Sequence, residues 1–485
     1  MAPAPGPVTG KRAPACVQVG DGAGAACQMT CTSGQDTIPH VHNDTIAAIA
    51  TPAGMGSIGI VRLSGPEAFP IVRGLFQGPD IRPGHIAHGT LRGPDGEMVD
   101  EVVLLPYAAP HSYTGEDIVE ICCHGGVACP PAVLRLCLEA GARMADPGEF
   151  TQRAFLNGKL DLAQAEAVCD LICATAEAQR RLATRQLQGE LSRAVRSIAD
   201  RLTAVIAAAE AAVDFAEEIG ELDSRHALDE LTQAHAAIQQ LRASYHQGRM
   251  IREGVVIAIV GLPNVGKSSL LNALLGTERA IVTDIPGTTR DTIEDRILLD
   301  GVPVTLWDTA GLREATDPVE QIGVRRTEEA IERADYLLLV LSPDDWQHPA
   351  NAELARVQGA GRTLVVMNQI DRGAVVEASA IFPDAIPVSA RTGSGIDRLR
   401  SAMRERMLAG APPDSALVSR ERHSKALADA QAAVEAALRT LGEDMPSDFV
   451  TIHLREALDA LGLITGETVT ADIVERIFAD FCVGK

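Results

Sequence analysis

Val255-Val256-Ile257-Ala258-Ile259-Val260 runs directly into Gly261-Leu262-Pro263-Asn264-Val265-Gly266-Lys267-Ser268, and Ser269 to Leu275 continue at helical spacing. An unbroken apolar run of this length suits a strand buried on both faces of a parallel sheet. The glycines of the following loop let backbone N–H groups turn inward. The helix that opens at its end adds favourable partial charge for an anion. Strand before and helix after are the context a phosphate-binding loop requires. Lys267 is placed to reach the outer phosphates, and the Ser268 hydroxyl to ligate Mg²⁺.

Further apolar runs downstream end in short polar motifs. Pro303 to Trp307 lead to Asp308-Thr309-Ala310-Gly311, and Asp335 to Leu341 form a second buried run. Thr363 to Met367 end in Asn368-Gln369-Ile370-Asp371, and Ile386 to Val388 lead to Ser389-Ala390. Asp308 can hold a Mg²⁺ shell, and the Gly311 N–H can meet a γ-phosphate. The Asp371 carboxylate can accept two hydrogen bonds from guanine, at N1–H and the N2 amino group; adenine offers no such pair. In this order the segments match the five guanine-nucleotide motifs of GTPases. Gln369 stands where the usual motif has Lys, whose stem packs on the base and whose ammonium ties to the phosphate loop. The change predicts weaker nucleotide affinity with guanine preference retained. Leu312 stands where many small GTPases carry a water-orienting Gln. That leaves a switch with negligible hydrolysis, or another water-positioner and charge stabiliser among Glu314, Asp317, Glu320, Arg313 and Arg290.

The 485 residues allow about three domains at roughly 150 residues each. Hydrophobic residues are 46% and charged residues 22%, the balance of a globular chain. No run approaches the roughly 18 apolar residues of a membrane span. A formal net charge of −22 excludes a passive polyanion binder, and 3% aromatics leave little for base-stacking platforms. The 10 cysteines read as reduced core thiols of a cytoplasmic protein, not as a disulfide scaffold. Residues 1–43, rich in Gly, Pro and Ala without Leu or aromatics, read as a disordered extension or a mis-called start with Met29 as alternative initiator.

Residues 44–157 read as an α+β domain, with strands at Thr45–Ala50, Ile58–Leu63, Val99–Pro106 and Asp117–Cys122 and a helix at Cys129–Ala140. Residues 160–246, nearly free of Gly and Pro, predict two or three long helices. Ser424–Leu441, Phe449–Leu461 and Thr470–Phe481 repeat that pattern. Neither helical segment has enough apolar face alone. The pair therefore predicts one all-α domain, residues 158–250 and 411–485, interrupted by an α/β P-loop domain at 251–410.

With these motifs the chain resembles the family of tRNA modification GTPases called MnmE or TrmE. The carrying residues include Gly261 to Ser268, Thr283-Asp284-Ile285-Pro286-Gly287-Thr288-Thr289-Arg290-Asp291, and Asp308 to Glu314. The first domain adds Gly59 to Gly65, Tyr113 to Asp117, His124-Gly125-Gly126 and Pro147 to Leu162; the tail adds Phe481-Cys482-Val483-Gly484-Lys485. The resemblance spans residues 44 to 485.

It implies a multidomain protein: an N-terminal α+β folate-binding and dimerisation domain, a discontinuous all-α domain, and an inserted Ras-like G domain whose GTP hydrolysis depends on K⁺. Asn264, Thr283, Ile285 and Thr288 match K⁺-site positions; Ser268 and Thr289 match Mg²⁺ ligands. The GTP site extends over Asn264, Val265, Gly266, Lys267, Ser268 and Ser269, then Thr283, Asp284, Ile285, Pro286, Gly287, Thr288 and Thr289. It continues through Asp308, Thr309, Ala310, Gly311, Asn368, Gln369, Ile370, Asp371, Ser389, Ala390 and Arg391. Glu320 matches the water-orienting glutamate, with Arg290 and Arg313 as further catalytic candidates. Glu320→Ala is expected to leave GTP binding intact and to cut turnover sharply, which a steady-state phosphate-release assay reads directly.

Arg62, Glu120, Lys159 and Lys485 match positions that contact 5,10-methylene-tetrahydrofolate; the 5-formyl form is a second ligand of that site. This requires the C-terminal helix to pack back on the first domain. Cys482 invites a nucleophile reading, with His124 the nearest base by composition. The implied partners are a second copy of the chain, tRNA, and a FAD-dependent protein, MnmG, which completes a heterotetramer and supplies the flavin; no membrane is implied. The implied product is a wobble uridine carrying an aminomethyl or carboxymethylaminomethyl group at C5. The alternative is a ribosome-assembly or regulatory GTPase switch without modification chemistry.

Overall fold

The computed structural model describes residues 44–215, 223–276, 294–299, 301–308, 331–351, 361–373, 381–408, 417–443, 446–479 and 481–485. The expectations for residues 1–43 and for Thr283 to Arg290, Thr309 to Arg313 and Glu320 lie outside these residues.

The first domain contains β1 (Ile46–Ile49), β2 (Ile58–Ser64), α1 (Ala68–Leu75), β3 (Phe76–Gln77), β4 (Ala87–Arg92), β5 (Met98–Tyr107), β6 (Ile118–His124), α2 (Cys129–Glu139), β7 (Arg143–Met144) and α3 (Glu149–Leu156). Its strands form one sheet in the order β3-β4-β5-β6-β2-β1-β7, antiparallel except for the β1–β7 pair. Alternation along β2 and β6 divides the faces. Val61, Leu63, Val119 and Ile121 pack with Phe69 and Val72 of α1 and Val133 of α2. Ile46 and Ala48 pack on the opposite face with Phe150 of α3. Arg62 and Glu120 are directly paired across β2 and β6, so both project to the α3 face.

Among the described residues, the stretch read as two or three long helices holds four and the start of a fifth: α4 (Leu162–Cys173), α5 (Glu177–Leu187), α6 (Glu190–Asp214), α7 (Ser224–Ala243) and α8 (Tyr245–Glu253). Two breaks escaped notice because neither contains Pro. Extended backbone at Ala174 and Ala176 separates α4 from α5, with Gln179 accepting from the Thr175 and Ala176 N–H groups, and Gly189 in the left-handed region (φ 77°) separates α5 from α6. After the inserted segment, which holds α9 (Lys267–Leu275) and α10 (Ile396–Leu408), come α11 (Glu421–Gly442), α12 (Ser447–Thr465) and α13 (Ala471–Ala479). Leu191, Val195, Leu202, Leu231 and Ile238 share one core with Leu427, Val434, Val450, Leu454 and Leu461. The two sequence-distant helical stretches thus bury each other. Ala426, Ala430, Ala433 and Ala437 line the inner face of α11 and let its neighbours approach closely.

A buried ion cluster ties α4 to α11. Glu166 accepts from Arg422 Nη2 and pairs with His423 Nε2, both at 2.9 Å, and Arg420 Nη2 donates to Asp170 at 2.7 Å. Burial pushes the Glu166 carboxyl up, but His423, Arg422 and Arg420 more than reverse this and hold it well below the carboxylate range.

The inserted segment contains β8 (Val255–Val260), α9 (Lys267–Leu275), β9 (Glu294–Leu299), β10 (Val302–Asp308), β11 (Tyr336–Leu341), β12 (Thr363–Met367), β13 (Ile386–Pro387) and α10 (Ile396–Leu408). Among the described residues its sheet runs β13-β12-β11-β8-β10-β9, parallel apart from the edge strand β9. Ala178 and Leu182 of α5 and Met250 and Ile251 of α8 join its core. Arg249 on α8 donates to Asp335 at 2.6 Å, just before β11.

The seven described cysteines are free thiols, but the core placement needs correcting: Cys123 and Cys137 are buried, whereas Cys173 and Cys482 are exposed. Among the described residues no helix is long and apolar enough to cross a membrane.

Candidate functional site

The loops after β8 and β12 and the last residue of β10, Asp308, stand at the carboxyl ends of parallel strands of one sheet, where open α/β sheets bind ligands. Gly261 follows β8 at φ 147°, and a Cβ there would stand 2.4 Å from the Val340 carbonyl oxygen. Gly266 has φ 89°, and a Cβ there would stand 2.5 Å from Asn368 Nδ2. Both glycines are therefore required by close approach as well as by backbone conformation.

Lys267, nearly buried, donates through Nζ to the carbonyls of Gly261 at 3.0 Å and Leu262 at 2.9 Å, curling over its own loop. Ser268 Oγ donates to Asp308 Oδ2 at 2.6 Å. A hydroxyl and a carboxylate that close at the mouth of a phosphate loop are a hard oxygen set that fits Mg²⁺.

Asn368 is a strut between loops. Its Nδ2 donates to the Val265 carbonyl at 3.0 Å, and its Oδ1 accepts from the Ala390 N–H at 3.1 Å. Asp371 accepts from Ser389 Oγ at 2.7 Å, with Arg391 Nη1 3.9 Å from its other oxygen. The Ser389 hydrogen bond, then a backbone hydrogen bond and the nearby arginines, hold the Asp371 carboxyl below its ordinary value and keep it an acceptor. Among the described residues only Asn264 (φ 65°) and Gln369 (φ 59°) are non-glycines with left-handed backbone. They touch: Gln369 Nε2 donates to the Asn264 carbonyl at 3.1 Å. Strained backbone of this kind gathers where a site must be held in one shape. The side chain at 369 thus reaches the phosphate loop after all, by an amide and without a charge.

A second constellation lies on the α3 face of the first sheet. Arg62 donates to Glu120 Oε1 through Nε at 2.8 Å and approaches it through Nη2 at 2.7 Å, while Nη1 donates to the Gly484 carbonyl at 3.2 Å. Its guanidinium lies 5.5 Å from the centre of the Tyr113 ring and 5.6 Å from that of Phe150. Burial, and then the Arg62 charge, pull the Lys485 ammonium below its ordinary value. The tail is seated here by Gly148, whose N–H donates to the Cys482 carbonyl at 3.3 Å, and by Phe478, whose ring lies tilted against those of Phe155 and Phe481.

A cavity of ≈ 280 Å³ beside Glu120 is lined by Tyr107, His111, Ser112, Tyr113 and Ile118. Lys159 donates to the Pro110 carbonyl at 3.0 Å, on the loop that walls this cavity, and makes no described contact with Arg62 or Glu120. His124 is held by Asp100 at 2.7 Å and makes no described contact with Cys482, so no thiol–imidazole pair forms among the described contacts. Sequence reading missed His111 and Ser112 as neighbours of this site, and Phe150 and Gly484 stood inside motifs without a signal that they face Arg62. Tyr113 stood inside a motif but carried no signal that it faces Arg62.

Two family models match. One described as "GTP-binding protein TrmE N-terminus" covers residues 45–159, and one described as "MnmE helical domain" covers residues 162–482. The tRNA modification GTPase MnmE of Moorella thermoacetica is 45% identical over 464 residues, covering 91% of this chain and 100% of that protein. The same-named protein of Chloroflexus aurantiacus is 46% identical over 455 residues, with 91% and 100% covered. That of Synechococcus elongatus is 43% identical over 458 residues, with 91% and 99% covered.

Proposed function

Since the chain belongs to the MnmE (TrmE) family of tRNA modification GTPases, proteins that bind and hydrolyse GTP, we propose a K⁺-dependent, Ras-like G domain at residues 251–410, set within a discontinuous helical domain. The observation that carries the nucleotide reading is the Asn368 strut, which locks the base-reading Asp371 loop onto the phosphate loop. Asp371 reads guanine, Lys267 neutralises the outer phosphates, and the backbone N–H groups of Val265 to Ser269 cradle them. Ser268 and Thr289 would hold Mg²⁺, with Asp308 behind Ser268, and its charge would offset that of the β- and γ-phosphates. Asn264 offers an amide oxygen of the kind K⁺ takes, and Thr283, Ile285 and Thr288 complete the set; the ion would supply fixed positive charge. Glu320 orients the attacking water where Leu312 cannot, with Arg290 and Arg313 alongside.

The first domain binds a one-carbon tetrahydrofolate and pairs with a second copy. Glu120 accepts from the donor edge of the pterin, oriented for that task by Arg62, and Lys485 and Lys159 suit the folate carboxylates. Tetrahydrofolate would supply the one-carbon unit for C5 of the wobble uridine. The FAD-dependent MnmG partner brings the flavin and, given this chain's acidity, part of the grip on tRNA.

The test is nucleoside analysis of tRNA after deletion of the gene. Loss of the C5 aminomethyl or carboxymethylaminomethyl wobble uridine supports the proposal; unchanged nucleosides with defective ribosome assembly favour the switch reading. GTP turnover is expected to be at least about tenfold faster in K⁺ than in Na⁺, because a caged cation does the work of a charged side chain. Equal rates in the two salts overturn the K⁺ assignment.

A further inference from the structure

The amide at Gln369 has two faces of opposite polarity and nearly equal size. Only one orientation lets it donate to the Asn264 carbonyl. What selects that orientation lies three residues on: Arg372 Nη1 donates to Gln369 Oε1 at 2.7 Å. The same guanidinium nitrogen is 2.9 Å from Asp344 Oδ2, in the loop after β11. A chain of contacts therefore runs from Asp344 through Arg372 and the Gln369 amide to the Asn264 carbonyl of the phosphate loop.

We infer that Arg372 is a positioning residue for the nucleotide site. Anchored on Asp344, it fixes the Gln369 amide with its NH₂ toward Asn264, and so restores the tie between base-reading loop and phosphate loop that Lys makes alone in the usual guanine motif. The inference rests on the guanine-nucleotide reading of this site.

The chemistry follows from the donor inventory. A guanidinium has only donors, so it accepts no contact with the amide NH₂ and forces the carbonyl toward itself. A charge-assisted bond of this kind is stronger than a neutral one. With Arg372 removed, the flipped amide would set Oε1 against the Asn264 carbonyl, two acceptors facing each other. The left-handed Asn264 and Gln369 backbones, each costly for a non-glycine residue, would then lose their mutual brace. Arg372 and Asp344 are both more than half exposed, so water screens the pair and the effect is moderate.

The experiment is a double-mutant cycle on the full chain, read by titration of fluorescent N-methylanthraniloyl GDP into wild type, R372A, Q369K and the double variant. R372A is expected to weaken binding about fivefold in the wild-type background, the size of one partly screened charge-assisted bond. On the Q369K background, where the ammonium reaches the Asn264 carbonyl unaided, the same change is expected to cost less than about twofold. R372K, which keeps the cation, is expected to bind within about twofold of wild type. Equal losses in the two backgrounds, or none in either, overturn the role of Arg372 and leave the guanine site standing. Failure of the wild type itself to bind the probe overturns the guanine reading, and this inference with it.

Discussion

Asp371→Asn is expected to weaken GTP binding by roughly a hundredfold and to reverse base preference, so that the variant binds xanthosine triphosphate more tightly than GTP. The argument is one of donors and acceptors. An ionised carboxylate offers acceptors to both N1–H and the N2 amino group, whereas an amide offers one acceptor and turns its NH₂ against a donor. Xanthine carries a carbonyl where guanine carries the amino group, and that carbonyl can accept from the new NH₂. The variant should fold normally: Ser389 Oγ, which donates to Asp371 Oδ1 at 2.7 Å, can donate equally to an amide oxygen. Competition titrations with the two triphosphates read the outcome. An unaltered GTP affinity would show that Asp371 does not read the base, whatever else the loop does.

The second large effect concerns the frame of the first domain. Arg153 is fully buried, and its guanidinium donates to Asp44 Oδ1 at 2.8 Å, Glu149 Oε1 at 2.9 Å and Glu116 Oε2 at 3.2 Å. Arg153→Met, of similar reach, leaves those carboxylates without their central cation. Breaking a buried pair in this way costs about 3–5 kcal/mol. The lower end is expected here, since Arg143 still donates to Glu149 at 2.6 Å and to Asp44 at 2.8 Å. Thermal or urea unfolding of the purified protein at neutral pH measures the loss.

The same cluster sets an acid limit. Burial raises the Glu149 carboxyl, but hydrogen bonds from Arg143, the Asp146 N–H and Arg153 outweigh it, leaving the folded pKa below the ordinary 4.5. A depressed carboxyl contributes stability that is complete above its unfolded pKa and disappears as pH falls through the folded value. In Arg153→Met one of the lowering partners is gone, so acid unfolding should begin at higher pH than in the wild type. An unchanged acid midpoint would mean that Arg143 and the Asp146 N–H suffice to keep Glu149 ionised.

Local chemistry made the nucleotide site readable. Val255 to Val260, the two close-approach glycines and the Lys267–Ser268 pair lie within one continuous stretch, so spacing alone specified strand, turn and helix. The motifs at Asp308, Asn368 and Ser389 each stand at or just after the carboxyl end of a strand, and parallel topology gathers strand ends. Elements with weaker local character went unread. Strand β4 contains Gly89, whose absent Cβ would stand 2.3 Å from the Gln77 carbonyl; the close packing that demands glycine also erases the strand signature.

Only the tertiary structure decided which side chains meet. Arg62 and Gly484 are separated by 422 residues, and Gln369 and Asn264 by 105. No periodicity in a chain records such pairings, because periodicity reports which face an element buries and not what lies across the gap. The replacement of Lys by Gln369 shows the difference. From the residue alone the phosphate-loop tie looked lost, yet a neighbouring cation supplied by Arg372 orients an amide that makes it. Residue types along the chain determined the strand-loop-helix units and the chemistry each can offer. Packing determined their partners, since contact free energy depends on distances that sequence separation does not encode.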